Sequence, residues 1–271
     1  RTRIPTTMPE ETLNALVEWF QDKEIEALGI GCCGPVDLRR SSKTYGCITT
    51  TPKPGWAWCD MVGTFRRALG VSVGFDTDVN ASVLGEVRFG QGRGLSTVLY
   101  LTVGTGIGLG VYLNGALHHG IVHPEAGHVL LSLHPEEHWT CRCPYHPNCL
   151  EGLACGPAIE ERWGARAEAL AQRRKVWEME AYYIAQALVD YICILAPEKI
   201  ILGGGVMRQR QLFPLIRSEV RRMMGGYLAA EELNDLDTYI VPESLDGDQG
   251  ILGSLCLGAA EWAREHGGRE A

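Results

Sequence analysis

The chain has 271 residues, of which 45% are hydrophobic and 21% charged, and a formal net charge of −8. That length can fill one large α/β domain or two lobes, and the acidic balance argues against a nucleic-acid partner, which asks for a basic face. No apolar run approaches the ~20 residues of a membrane span and no secretory apolar stretch opens the chain, so its ten cysteines are expected to be reduced cytoplasmic thiols, some on metal and the rest in the core.

In chain order, residues 1–7 (RTRIPTT) read as the end of a strand running into a turn. Glu10 and Glu11 open a helix, with Leu13, Leu16, Val17 and Phe20 at helical spacing. Residues 27–31 form a short buried strand that ends at the Gly34-Pro35 turn, and 71–76 form another that delivers Asp76 and Asp78 to its C-terminal end. A helix is expected over 79–88. Residues 97–103 and 107–113 read as paired strands around a glycine turn, continued by an Asn114-Gly115 hairpin. Beyond a Cys/His-rich loop come a helix over 175–195 and a buried strand over 199–202 that runs into Gly203-Gly204-Gly205. A helix over 212–224, a strand over 238–241 and a closing helix over 249–265 complete an α/β pattern. No low-complexity tract, long charge run or internal repeat interrupts it.

The densest chemistry lies in residues 123–157. Cys143, His146 and Cys149 read C-x-x-H-x-x-C, and His128 precedes them on a Gly-His pair. Two thiolates and two imidazoles suit a closed, tetrahedral structural zinc site; buried cysteines and surface histidines are the bland alternative. Three further loops can carry chemistry. Glycines at alternate positions over Gly104 to Gly110 leave backbone N–H groups uncovered for a phosphate, although a plain hairpin would look alike. Gly203 to Gly205 sit at a strand's C-terminal end, where open α/β sheets bind ligands and where tight turns are also common. Asp76 and Asp78 offer a general base or a helix N-cap.

The order of these pieces resembles the ROK family of sugar kinases over essentially the whole chain: an acidic strand end, a GTGxGxG hairpin, Glu-x-x-His, a Cys/His loop closing on Cys-x-Glu, and a late Gly-Gly-Gly. TPKPGW at 51–56 and the C-P-x-H-x-x-C loop look like the bacterial fructokinase branch; the glucokinase branch more often shows C-x-C-G-x-x-G-C. The resemblance implies an actin-like (ribonuclease H-like), two-lobed fold with an inserted zinc loop. The smaller lobe would span residues 1–94, completed by the C-terminal helix 250–271, and the larger 95–249 with the zinc loop 123–157. It implies Asp78 as the base that activates a sugar hydroxyl, with Glu125, His128 and Glu151 on sugar hydroxyls and His128 also on zinc. Gly104, Thr105 and Gly106 would contact ATP phosphates, and Pro157 with Gly203, Gly204 and Gly205 would line the adenosine side. Mg²⁺ would accompany ATP, and zinc would fix the loop bearing His128 and Glu151. Family members are commonly dimeric, so a homodimer is expected, with hexose and ATP as ligands and neither nucleic acid nor membrane.

Three departures stand out. Thr77 occupies the position where many members carry a sugar-binding Asn. Cys141 precedes Cys143 as C-x-C, so the zinc ligands are chosen as His128, Cys143, His146 and Cys149 with Cys141 spare. The family opens with a strand and an Asp/Glu-x-Gly-Gly-Thr phosphate loop that this chain does not show, so an upstream strand is expected and with it a chain of impaired activity. Fructose is the expected substrate. Glucose, an N-acetylated hexosamine, a catalytically dead sugar-binding module and a sugar-sensing repressor are the alternatives, the last needing a basic segment upstream.

Overall fold

The computed structural model describes residues 1–267. Residues 1–7 carry no regular structure, so the expected strand end is not there. Thr7 instead steers the chain into a helix, its N–H donating to Thr12 Oγ1 at 2.9 Å and its carbonyl accepting from the Trp56 indole at 2.9 Å.

In order, the first elements are α1 (Pro9–Gln21), β1 (Ala27–Cys32), α2 (Met61–Leu69), β2 (Ser72–Thr77) and α3 (Asp78–Phe89). The sequence reading leaves α2 unassigned. Asp60 starts it by accepting from the Gly63 N–H at 2.7 Å, and Gly70 ends it at φ 70°. Next come β3 (Val98–Val103), β4 (Ile107–Leu113) and β5 (Ala116–Leu117), then α4 (Leu150–Ala154), α5 (Gly156–Trp163) and α6 (Arg174–Leu195). The chain closes with β6 (Lys199–Gly203), α7 (Leu212–Met224), α8 (Leu236–Tyr239), β7 (Ile240–Pro242) and α9 (Gln249–Glu265). The strand expected over 238–241 begins later, because Asp235 accepts from the Asp237 N–H and caps a helical turn first. Of the helix expected over 250–271, residues 268–271 lie outside the described residues.

Two sheets organise these elements. β1 and β2 pair in parallel, Ala27 opposite Ser72 and Cys32 opposite Thr77. The larger sheet runs β5-β4-β3-β6-β7, with β4 antiparallel to β3, and β6 and β7 parallel to it. Alternation along its strands sorts the core onto two faces. Leu99, Leu101, Ile200 and Leu202 pack with Leu153, Trp177, Ile184 and Leu188 on one side. Val98, Tyr100 and Ile201 pack with Val83, Leu84 and Val87 of α3 on the other. A separate core of Leu13, Leu28, Ile48, Trp56, Phe65 and Val73 lies behind the small sheet.

The C-terminal helix α9 packs on β1, β2 and α3. A Cβ on Gly29 would stand 1.6 Å from the Ser254 carbonyl oxygen, and one on Gly253 would stand 1.6 Å from that of Ala81. Only hydrogen fits at either position. Gly253→Ala is expected to destabilise the fold by about 3 kcal/mol in a denaturant titration, since a backbone carbonyl cannot swing aside as a side chain does. A loss below about 0.5 kcal/mol, the scale of an ordinary surface change, would mean that α9 seats differently.

Candidate active site and metal centre

The C-terminal ends of β2, β3 and β6 supply most of the candidate residues, the edge at which open α/β sheets present their ligands. β2 runs directly into α3, and Thr77 caps that helix by accepting from the Asn80 N–H at 3.1 Å. Asp78 is therefore the first helical residue, its Oδ1 accepting from the Val79 N–H at 2.9 Å. The Asp78 carboxylate is open to the cleft yet ringed by protein, and that partial desolvation raises its pKa against the pull of the Val79 N–H and of Lys53.

Two more carboxylates act on the same region. Glu125 is pushed up to about 7, by desolvation first and then by the negative charges of Glu151 and Asp78. Glu151 lies in the first turn of α4; its Oε2 accepts from the Ile107 N–H at 2.9 Å, and its Oε1 is 3.9 Å from His128 Nε2. This set of acceptors, with one carboxyl poised to share a proton near neutrality, suits a neutral ligand rich in hydroxyls. It is ill suited to an anion.

The opposite ring nitrogen of His128 faces sulfur. His128 Nδ1 lies 3.6 Å from Cys149 Sγ and 4.0 Å from Cys143 Sγ, and Cys143 Sγ is 3.4 Å from His146 Nδ1. All four donor atoms fall within 4.8 Å of one another. Bond lengths of about 2.3 Å to sulfur and 2.0–2.1 Å to nitrogen at tetrahedral angles imply S···N edges of about 3.5 Å, so the set fits zinc in both chemistry and spacing. Cys141 is outside it. Its sulfur fills the space beside Gly152, where a Cβ would come within 2.2 Å.

The glycine turns also converge. The Gly104 carbonyl accepts from the Gly156 N–H at 2.7 Å, tying the β3–β4 hairpin to the start of α5, where Pro157 sits. Thr105 is exposed at the hairpin apex. A Cβ on Gly104 would stand 3.7 Å from the Gly205 N. Gly204 adopts φ 92°, a conformation glycine favours. Gly203 has a different reason to be glycine, since Tyr100 Oη and Glu243 Oε2 occupy the space of its side chain. It borders a buried network in which Glu243 accepts from Tyr100 at 2.8 Å and from Gln249 at 2.8 Å. Helix follows these glycines only after a 3₁₀ turn at Val206–Arg208.

A recess of about 600 Å³ opens elsewhere, lined by Arg66, Ser72, Trp262 and Glu265, with none of these residues in it. It is a wide surface depression.

Residues 1–261 match the ROK family model. The chain belongs to the ROK family. A relative from Bacillus subtilis (strain 168) is 50% identical over 258 residues, 95% of this chain and 86% of the relative. The fructokinase of Pediococcus pentosaceus is 42% identical over 260 residues, 96% of this chain and 89% of that protein. Among solved structures, the ROK hexokinase of Thermus thermophilus superposes with a TM-score of 0.76 at 26% identity, covering 96% of this chain and 89% of that one. The fold is thus the actin-like ATPase fold of ROK kinases.

Several buried polar residues beside the candidate site take on their contacts only in the fold. Asp76, offered by the sequence as an alternative base, is buried. It accepts from the Thr77 N–H at 2.7 Å, from Asn80 Nδ2 at 2.7 Å and from His119 Nε2 at 2.8 Å. It organises the strand end and raises the pKa of His119, an effect that outweighs burial of the ring. Asn80 in turn accepts from the Val111 N–H at 3.2 Å, joining α3 to β4. His123 is buried, its Nε2 accepting from the Val36 N–H at 3.1 Å, which holds the loop carrying Glu125 against the residues after β1. The segment His118-His119-Gly-Ile-Val-His123 carried a faint signal, since three polar rings among apolar residues need partners.

Proposed function

We propose that this chain transfers the γ-phosphoryl group of ATP to a hexose, and that the hexose is fructose, giving fructose 6-phosphate. The observation that carries the reading is the opening of Asp78, Glu125 and Glu151 onto one region at the C-terminal edge of the strands, beside the glycine turns. Membership of the ROK family and 42% identity to a fructokinase over 96% of the chain support the substrate.

In this reading Asp78 accepts the proton of the attacking hydroxyl as that oxygen meets the γ-phosphorus. Glu125, Glu151 and the His128 Nε2–H hold the other hydroxyls. Thr77 contributes at most its O–H, because its oxygen already caps α3. Backbone groups of Gly104, Thr105 and Gly106 approach the phosphates, and Pro157, Gly204 and Gly205 flank the nucleoside with Gly203 behind them. Mg²⁺ bound with ATP supplies neutralisation of charge on the phosphates. His128, Cys143, His146 and Cys149 hold a structural zinc ion; four protein ligands leave it no open position, so its effect on catalysis is to fix the direction in which His128 and Glu151 point.

We assign residues 1–94 with the helix from 250 onward to a smaller lobe, and 95–249 to a larger one. A homodimer in the cytoplasm completes the proposal. None of the ten cysteines is paired in a disulfide, and among the described residues no helix is long and apolar enough to cross a membrane.

The test is a coupled assay of Mg-ATP-dependent phosphorylation with fructose, glucose, mannose and N-acetylglucosamine. The expected result is turnover with the highest kcat/KM for fructose. A preference for another sugar would overturn the substrate assignment, and no turnover with any of them would overturn the kinase reading.

A further inference from the structure

Cys33 immediately follows β1, and the Lys53 ammonium of the TPKPGW segment lies 3.1 Å from its sulfur. The neighbouring Gly34 backs onto the cleft, since a Cβ there would stand 2.8 Å from the His123 ring and 3.1 Å from Glu125 Oε1. Cys32 is buried beneath it, Cys33 is half-buried and Lys53 is exposed. The groups acting on Cys33 are Cys32, Lys53 and Asp78. A hydrogen bond from the Cys32 thiol, then the contact with Lys53, outweigh desolvation and the Asp78 charge and hold Cys33 below an ordinary thiol.

We propose that Cys33 is a modification site: its sulfur, held against the Lys53 ammonium at the rim of the cleft, captures a low-molecular-weight thiol from a soluble disulfide, and the adduct closes the hexose site. The thiolate attacks one sulfur of the disulfide. A Cys33–S bond forms, the original S–S bond breaks, and the other half departs as a thiolate that takes a proton from water. A dithiol reductant reverses the exchange. Closure of the hexose site rests on the kinase reading above; the capture itself does not.

The experiment treats the metal-loaded protein with glutathione disulfide, and in parallel with iodoacetamide at pH 6, and locates adducts by peptide mass mapping. Exposed Cys193 on α6 is the internal reference. At pH 6 the Lys53 contact leaves more of Cys33 as thiolate than of an ordinary thiol; its lower intrinsic nucleophilicity offsets part of that advantage, and alkylation severalfold faster than at Cys193 is expected. Lys53→Met should reduce this ratio severalfold with the cysteine intact, and fructose should slow labelling of Cys33 but not of Cys193. Equal or slower labelling of Cys33 than of Cys193 would overturn the capture. Formation of the Cys33 adduct with fructose turnover unchanged would overturn closure of the site, as would equal loss of turnover in Cys33→Ser treated alike. Untreated protein that fails to phosphorylate any hexose, yet still labels selectively at Cys33, would count against the kinase reading alone.

Discussion

Replacing Asp78 with asparagine is expected to lower kcat for fructose phosphorylation by about 10³-fold, within the range seen when a general base is lost, and to leave KM for fructose within about threefold. Asparagine keeps the oxygen that accepts from the Val79 N–H, so the start of α3 is preserved, while the capacity to take a proton is lost. Desolvation raises Asp78 from its ordinary value, so the ionised base is lost at a higher pH than for a free carboxylate. The acidic limb of the kcat/KM profile should therefore lie above the usual aspartate range near 4, and Asp78→Asn should remove that limb. An unchanged kcat in the variant would transfer the base role to another carboxylate, and Glu125 is the next to test.

The second large effect concerns the metal centre. Cys149→Ser is expected to lose bound zinc, lower Tm by about 10 °C and raise KM for fructose at least about tenfold, whereas Cys141→Ser should do none of these. Cys149 is fully buried, caps α4 and provides one corner of the four-donor set, so its loss reaches both the loop fold and Glu151 two residues on. Metal analysis by plasma mass spectrometry, calorimetry and steady-state kinetics read the three effects separately. Chelation of the unmodified protein should reproduce the KM change without any mutation. Zinc retained by Cys149→Ser, or lost by Cys141→Ser, would overturn the ligand assignment.

What a reader could take from the chain beforehand follows physical lines. The strands at 27–31, 71–76, 97–103, 107–113 and 199–202 and the long helices announce themselves because their burial is periodic or continuous and their ends carry glycine, proline or a cap. The elements that escaped depend on brief or distant causes. Helix α2 is only nine residues long and relies on Asp60 and Gly70 at its ends. The short helices α4 and α5 are defined by packing and by the joint at Cys155. Three of the four donors of the metal set, Cys143, His146 and Cys149, form the local pattern C-x-x-H-x-x-C, and His128 stands 15 positions upstream of it. The partnership of Asp76 with His119, and of Cys33 with Lys53, could not be read ahead, because 43 and 20 positions separate the partners and no local pattern joins them. Asp78 and Asp76 look alike in sequence. The resemblance picks out Asp78 by position, and in the fold the two differ in burial, Asp76 enclosed and Asp78 exposed.

The seating of α9 on β1, β2 and α3 carries a cost during synthesis. The strands that helix covers are made well before the helix itself. At ~5–20 residues per second, the backs of Gly29 and Gly74 remain bare for about 10–40 s before their partner leaves the ribosome. Throughout that interval a parallel strand pair with an apolar face is accessible to chaperones, to proteases and to other nascent copies. Slowing elongation late in the message should therefore reduce the yield of folded protein more than slowing it early.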